Sequence, residues 1–93
     1  MNKNRYFEVI KEFIIQVPDV DFDIHARIKK EITTKNDIVF FWEVSHYYKQ
    51  ESNSPLVYKP SNHCAGTIVE CERILFMYLN KFTNIDIQAN EDY

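Results

Sequence analysis

A strict alternation of apolar and polar residues over positions 20–32 constrains this fold more than any other feature. The odd positions are polar or charged throughout, and only Lys30 interrupts the even, apolar series. Successive side chains of a β-strand point to opposite faces of a sheet, so this period predicts a strand with one buried and one solvated face. The apolar even positions are Val20, Phe22, Ile24, Ala26, Ile28 and Ile32.

A second strand is predicted directly after this one. Residues 33–37 contain turn-forming side chains, and Asn36 and Asp37 tolerate positive φ. Residues 38–48 are rich in β-branched and aromatic side chains, as is typical of strands. We therefore predict an antiparallel hairpin over about residues 20–48, with the second strand the more central. Residues 56–59 are a candidate short third strand that Pro60 would end.

Two helices are predicted to flank the strands. At about 100° per residue, most apolar residues from Tyr6 to Val17 fall within an arc of about 160°, which predicts a helix over about residues 4–17 that Pro18 ends. Thr67 and Glu70 have the spacing of a capping box, which predicts a second helix over about residues 67–82. Residues 84–93 are predicted to form a tail. The fold class is therefore α+β, in the order α-β-β-(β)-α, with a small antiparallel sheet and two helices packed on one face of a single domain, 1–93.

Composition and charge exclude several functional classes. The chain has 93 residues and a single glycine, and it lacks the glycine-rich loops that hold nucleotide phosphates. A formal net charge of −3 argues against a general nucleic-acid coat protein. Charged residues throughout the first twenty positions are unlike a signal peptide or a membrane span. Two cysteines are too few for a disulfide framework, so we expect a cytoplasmic protein.

No motif points to catalysis, a metal or a cofactor. His63, Cys64 and Cys71 lie close in sequence, but a C-x₆-C spacing matches no common zinc site. Ser45 and His46 are neighbours on a predicted strand, so we expect their side chains to point to opposite faces. We therefore predict a protein that is not an enzyme, with a small hydrolase dependent on Cys64 or His46 as the alternative.

One face of the predicted hairpin combines basic and aromatic side chains, which suits stacking of single-stranded RNA. The element order over about residues 4–82 also resembles that of the double-stranded-RNA-binding domain, which implies RNA binding. That family begins its second helix with a lysine-rich stretch, whereas residues 62–68 here contain no lysine. The candidate RNA-binding residues are His25, Arg27, Lys29 and Lys49.

A second set of residues suggests a protein partner. Asp21 and Asp23 belong to an acidic block that could meet a basic surface. Tyr47 is a candidate interface anchor, since large aromatic side chains are enriched at interface hot spots. Glu72 falls inside the apolar arc of the second helix, where a carboxylate must be paired, protonated or covered by a partner.

In size and composition the chain resembles the small anti-defence inhibitors of phages and other mobile elements, such as anti-CRISPR proteins. The resemblance implies a non-catalytic inhibitor that occupies a surface of a larger protein or protein–RNA complex. An RNA-binding module that acts alone and a toxin-immunity protein are the alternatives. The wide apolar arc of the second helix, roughly 220°, is compatible with a monomer or a homodimer.

Overall fold

The computed structural model describes residues 4–32 and 38–93, which form a four-stranded antiparallel sheet with one helix packed on it. The predicted α+β class and antiparallel sheet are confirmed, whereas the prediction of two helices is wrong. In chain order the elements are β1 (Tyr6–Ile15), β2 (Ile24–Ile32), β3 (Phe40–Val44), β4 (His46–Tyr47), β5 (Cys64–Ala65), α1 (Ile68–Leu79) and β6 (Gln88–Ala89). The sheet order is β1-β2-β3-β5, and β4 pairs with β6 in a separate two-stranded sheet.

The segment predicted as a helix over residues 4–17 is the ten-residue strand β1. It pairs antiparallel with β2, and a bulge lies between Val9 and Lys11, where Ile10 has no partner in the register. The bulge exchanges the two faces of the strand, so Val9 lies opposite Lys29 on one face, while Phe13 lies opposite the buried Ala26 on the other. This exchange breaks the period of two and places the apolar residues in an apparent helical arc.

Pro18 forms a tight turn between β1 and β2 instead of ending a helix. The Val20 N–H donates to the Val17 carbonyl at 3.1 Å, and Asp19 has a φ of 67°. Proline followed by a residue with positive φ is the arrangement of a type II turn. Strand β2 consequently begins at Ile24, and Asp21 and Asp23 lie in the exposed β1–β2 connection instead of on a strand.

The core lies between the sheet and α1. Ile28 of β2 is opposite Trp42 of β3, and both are almost fully buried. The helix contributes four buried side chains to this layer, Cys71, Leu75, Tyr78 and Leu79. Phe13 of β1 extends it through an edge-to-face contact with Phe76, at 5.1 Å between ring centroids. The alternation in β2 therefore divides its residues between a buried face under α1 and the opposite face, as the period of two requires.

The predicted second strand of the hairpin is divided at Ser45. The Ser45 N–H donates to the His25 carbonyl, and the His25 N–H donates to Ser45 Oγ, both at 2.8 Å. The chain bends there and continues as β4 in the smaller sheet. The candidate strand over residues 56–59 contributes only an isolated bridge between Tyr58 and Tyr48. The predicted turn at residues 33–37 lies outside the described residues.

Helix α1 begins at the predicted cap. Thr67 Oγ1 accepts the Glu70 N–H at 3.1 Å, which satisfies one of the backbone donors of the first turn. The Glu70 carboxylate turns instead to Arg73, which lowers the pKa of Glu70. Within residues 4–32 and 38–93, no helix combines the length and the apolar composition needed to cross a bilayer.

Candidate binding surface

The face of the four-stranded sheet opposite α1 has no helix packed on it in the described part of the chain. We call it the open face. Directly opposed residues of an antiparallel pair share a face, so the register identifies its members. They are Phe7, Val9, Glu12 and Ile14 of β1, His25, Arg27, Lys29 and Glu31 of β2, and Phe41 and Glu43 of β3.

The cations of the open face are already paired with carboxylates. Glu43 Oε1 lies 2.6 Å from Arg27 Nε and 3.2 Å from Lys29 Nζ. Arg5 Nε lies 2.8 Å from Glu31 Oε2 at the other end of the sheet. The face therefore alternates cations and anions and is not a uniformly basic surface.

Aromatic rings cover the same cations. Lys29 Nζ lies 4.4 Å from the centroid of the Phe7 ring, and the Arg5 guanidinium lies 5.0 Å from it. Phe7 also meets Phe41 edge to face at 6.0 Å. Cations within about 6 Å of a ring face are attracted to it, so these contacts hold the long basic side chains in defined positions.

A cavity of about 410 Å³ opens on this face between the sheet and the loop that precedes β5. Its volume lies in the range of about 300–1,000 Å³ that is typical of ligand pockets. Among its three lysine and arginine residues, Lys59 alone has no carboxylate within ion-pair distance in the described chain, and it lies 5.6 Å from the Tyr47 ring. The cavity is lined by Arg5, Phe7, Lys29, Phe41, Trp42, Glu43, Val44, Tyr47, Lys59, Pro60, His63, Asn90 and Asp92.

Residues 90–93 cover part of the open face. Asn90 holds them in place, since its backbone N–H donates to the Ser45 carbonyl at 2.7 Å and its Nδ2 donates to the Val44 carbonyl at 2.8 Å. Asp92 then forms part of the cavity wall. The Tyr93 ring lies 4.1 Å from the Arg27 guanidinium, and burial raises the pKa of Tyr93.

The structure separates the four candidate RNA-binding residues. Arg27 and Lys29 lie side by side on the open face, and His25 is at its exposed end. Lys49 does not line the cavity. Its Nζ lies 3.1 Å from Asp86 Oδ2, because the bend at Ser45 removes it from the plane of β3.

The four candidate partner-binding residues are likewise divided. Tyr47 is half-buried in the cavity wall, and burial raises the pKa of its hydroxyl. Asp21 and Asp23 are exposed in the β1–β2 connection, outside the cavity. Glu72 pairs with another element of the chain itself, with its Oε2 3.0 Å from Lys11 Nζ of β1, so pairing explains its place in the apolar arc.

Ser45 and His46 contact each other, contrary to the expectation that they point apart. The bend brings Ser45 Oγ within 2.7 Å of His46 Nδ1. Because the hydroxyl oxygen accepts from His25, its proton is available to donate to His46. Neither residue lines the cavity, and their contact lies at the bend between β3 and β4.

Both cysteines are free thiols in different surroundings. Cys71 is fully buried, and burial raises the pKa of its thiol to about 11, which keeps it protonated. Cys64 is exposed and unpaired with another sulfur. Among residues 4–32 and 38–93, no cluster of three or more His, Cys, Asp or Glu side chains could hold a metal ion.

Sequence reasoning missed several residues of the cavity. Phe7 was not identified because residues 4–17 were predicted to form a helix. In the strand that they form instead, Phe7 lies opposite Glu31 on the solvated face. Lys59 and Asp92 belong to irregular segments, where no periodicity indicates which way a side chain points. Glu43 could have been found, since it shares the parity of Phe41.

Comparisons with known proteins identify no relative of this chain. No family model, curated protein or solved structure matches the chain. Any function assigned to the chain therefore rests on the geometry of the open face and its cavity.

Proposed function

We propose that this chain is a non-catalytic binding protein that inhibits a larger protein or protein–RNA complex by occupying one of its surfaces with the open face. The observation that carries the proposal is the cavity, where aromatic side chains and both signs of charge meet on a sheet face that no helix of residues 4–32 and 38–93 covers. Aromatic residues and arginine are the residue types enriched at protein interfaces.

The charge pattern favours a protein over RNA as the direct partner. Phosphate binding draws its affinity from cations that replace condensed counterions. Here Glu43 already neutralises part of the charge of Arg27 and Lys29, and Asp92 adds a further carboxylate to the cavity wall. A mixed surface of this kind suits a protein partner with complementary charges, where the pattern selects the partner and accelerates association.

Within this class, the size and composition of the chain favour an anti-CRISPR-like inhibitor. The exposed acidic residues Asp21 and Asp23 would meet a basic groove of such an effector. A cytoplasmic location is part of the proposal, and the free thiols of Cys64 and Cys71 agree with a reducing compartment. A toxin-immunity protein would use the same surface, and the identity of the captured partner separates the two.

Direct RNA binding is the second candidate. The contacts of Lys29 with Phe7 and of Lys59 with Tyr47 favour it, because a base can stack where a ring and a cation are held together. Both candidates use the open face, so one experiment can separate them.

The test is affinity capture from the native cell with the tagged chain, followed by identification of protein and nucleic acid in the eluate. Tyr47→Ala removes part of the cavity wall. Tyr6→Ala is the matched control, since Tyr6 is 61% exposed and lies outside the cavity. We expect a protein that is retained by the native chain and by Tyr6→Ala, resists ribonuclease, and is recovered about tenfold less with Tyr47→Ala, as for loss of a hot-spot side chain.

Two results would contradict the proposal. Recovery that is unchanged by Tyr47→Ala would show that the cavity, which carries the proposal, is not part of the interface. Loss of all retained material after ribonuclease would make RNA the direct ligand.

A further inference from the structure

Residues 90–93 lie across part of the open face, where Asn90 and Tyr93 hold them. Their sequence is Asn-Glu-Asp-Tyr, an acidic segment with an aromatic side chain. The Tyr93 ring lies on the Arg27 guanidinium, and Asp92 is part of the wall of the cavity that Lys29 and Lys59 also line. The chain itself therefore places an acidic and aromatic segment across part of this face.

The adjacent cavity has donors that this segment does not use. Lys59 has no carboxylate partner within the described residues, and His63 lines the same wall. An ammonium group can only donate, so a group that satisfies Lys59 must be an acceptor such as a carboxylate.

We infer that the cavity binds an acidic peptide segment with an aromatic residue, contributed by the partner protein, alongside or in place of residues 90–93. This inference rests on the proposed function, because it identifies the part of the partner that the open face recognises. The carboxylates of the segment would meet Lys59 and His63, and its ring would pack against Tyr47. The carboxylates of a peptide can be spaced so that none lies next to Glu43. The evenly spaced phosphates of a nucleic acid would place a negative charge close to the Glu43 carboxylate.

The experiment measures fluorescence anisotropy of a labelled synthetic peptide with the sequence of residues 89–93, added to the full-length chain. In the native protein the attached segment competes for the face at a high effective concentration. The double variant Asp92→Asn with Tyr93→Ala removes the charge and the ring of that competitor. We expect this variant to bind the peptide roughly tenfold more tightly than the native chain does.

Charge changes at the cavity provide the matched comparison. Lys59→Glu, introduced into the double variant, is expected to weaken peptide binding about tenfold, because it places a carboxylate where the peptide carries its own. Lys81→Glu makes the same change at an exposed lysine outside this cavity and is expected to leave binding unchanged. Circular dichroism of each variant confirms that the fold is retained.

Three results would overturn the inference. The first is equal affinity for a neutral peptide with Gln and Asn in place of Glu and Asp. The second is equal loss of binding in Lys59→Glu and Lys81→Glu. The third is tighter binding of a labelled oligouridylate than of the peptide. If the peptide fails but Tyr47→Ala still abolishes capture of a protein, the proposed function stands and only the partner's chemistry is wrong.

Discussion

At the scale of single residues, Glu43 determines the electrostatic character of the open face. Its carboxylate is only 20% exposed and contacts both Arg27 and Lys29. Ion pairs of this kind are screened by salt less than fully exposed ones, so the two cations stay partly neutralised in physiological buffer. Arg27 and Lys29 therefore lie on the predicted face, but they are not available as free positive charges.

His46 makes the stability of the fold depend on pH. Burial, and to a smaller extent the nearby His25, lowers the pKa of His46 below its usual value of 6.5. As pH falls through 6.5, the unfolded chain takes up this proton more readily than the folded chain, so the free energy of unfolding decreases until the folded imidazole is also protonated. Protonation also removes the acceptor that Ser45 uses at the bend.

We therefore expect His46→Gln to flatten the part of the stability profile just below pH 6.5. Urea unfolding of the native chain and the variant, followed by the fluorescence of the single tryptophan, measures this from about pH 8 to about pH 5. An identical slope for both proteins in this range would show that His46 does not contribute to it.

At the scale of secondary structure elements, one inserted residue explains the main error of sequence interpretation. The alternation in β2 and the cap at Thr67 follow local rules that hold regardless of the rest of the chain. In β1 the bulge at Ile10 reverses the faces halfway along the strand, and a strand whose faces reverse looks like an amphipathic helix. No local signal in the sequence marks where the partner strand leaves a residue unpaired.

The candidate site was likewise predictable from the sequence where its strands are regular, and not where a strand is interrupted. Arg27, Lys29 and Phe41 were placed together because β2 and the first half of the hairpin's second strand are regular. The division of that strand at Ser45 was not predictable, since it depends on hydrogen bonds with His25 across the hairpin. The division of the strand at Ser45 separates Lys49 from Arg27, Lys29 and Phe41.

Deleting Ile10 tests this account of β1. Without the bulge residue, Val9 and Lys11 become neighbours and keep their present partners, so every other side chain of β1 stays on its face. We expect the deletion to fold and to lose about 1–2 kcal/mol of unfolding free energy, the contribution of a partly buried isoleucine side chain. Ile10→Ala should lose a similar amount in urea unfolding.

Deletion of Ala26 is the control for that experiment. Ala26 lies in the regular middle of β2, between two paired neighbours, and no bulge is present there to absorb the change. Its removal reverses the faces of half the strand, so we expect this variant not to fold. A stable Ala26 deletion, or an unfolded Ile10 deletion, would contradict the proposed role of the bulge.

At the scale of the whole molecule, tyrosines connect the helix to the smaller sheet and its neighbouring loop. The Tyr48 hydroxyl donates to the Tyr78 carbonyl at 3.0 Å, and the Tyr78 hydroxyl donates to the Tyr58 carbonyl at 2.6 Å. The Tyr48 ring lies 4.4 Å from that of Phe82. These contacts extend the core between the sheet and α1 to the residue after β4, the loop at Tyr58 and the residues after the helix.

The same tyrosines predict loss of stability at alkaline pH. Burial raises the pKa of Tyr48 to about 12 and also raises that of Tyr78. Above the usual tyrosine pKa of 10.0 the unfolded chain loses these protons while the folded chain keeps them, so stability falls between about pH 10 and pH 12. Urea midpoints in this range should fall less steeply for Tyr48→Phe than for the native chain. Tyr6→Phe, at an exposed position, should follow the native chain, and equal slopes for all three would refute the prediction.

The outer border of β1 has a consequence for how copies of this protein behave when crowded. No other described strand adds to that side of the sheet, so ten residues of backbone present their outward amides to water. A straight apolar border of this length would invite stacking of one molecule on the next. Here the bulge at Ile10 and the charges of Glu8, Lys11 and Glu12 interrupt that border, so we expect them to hinder such stacking.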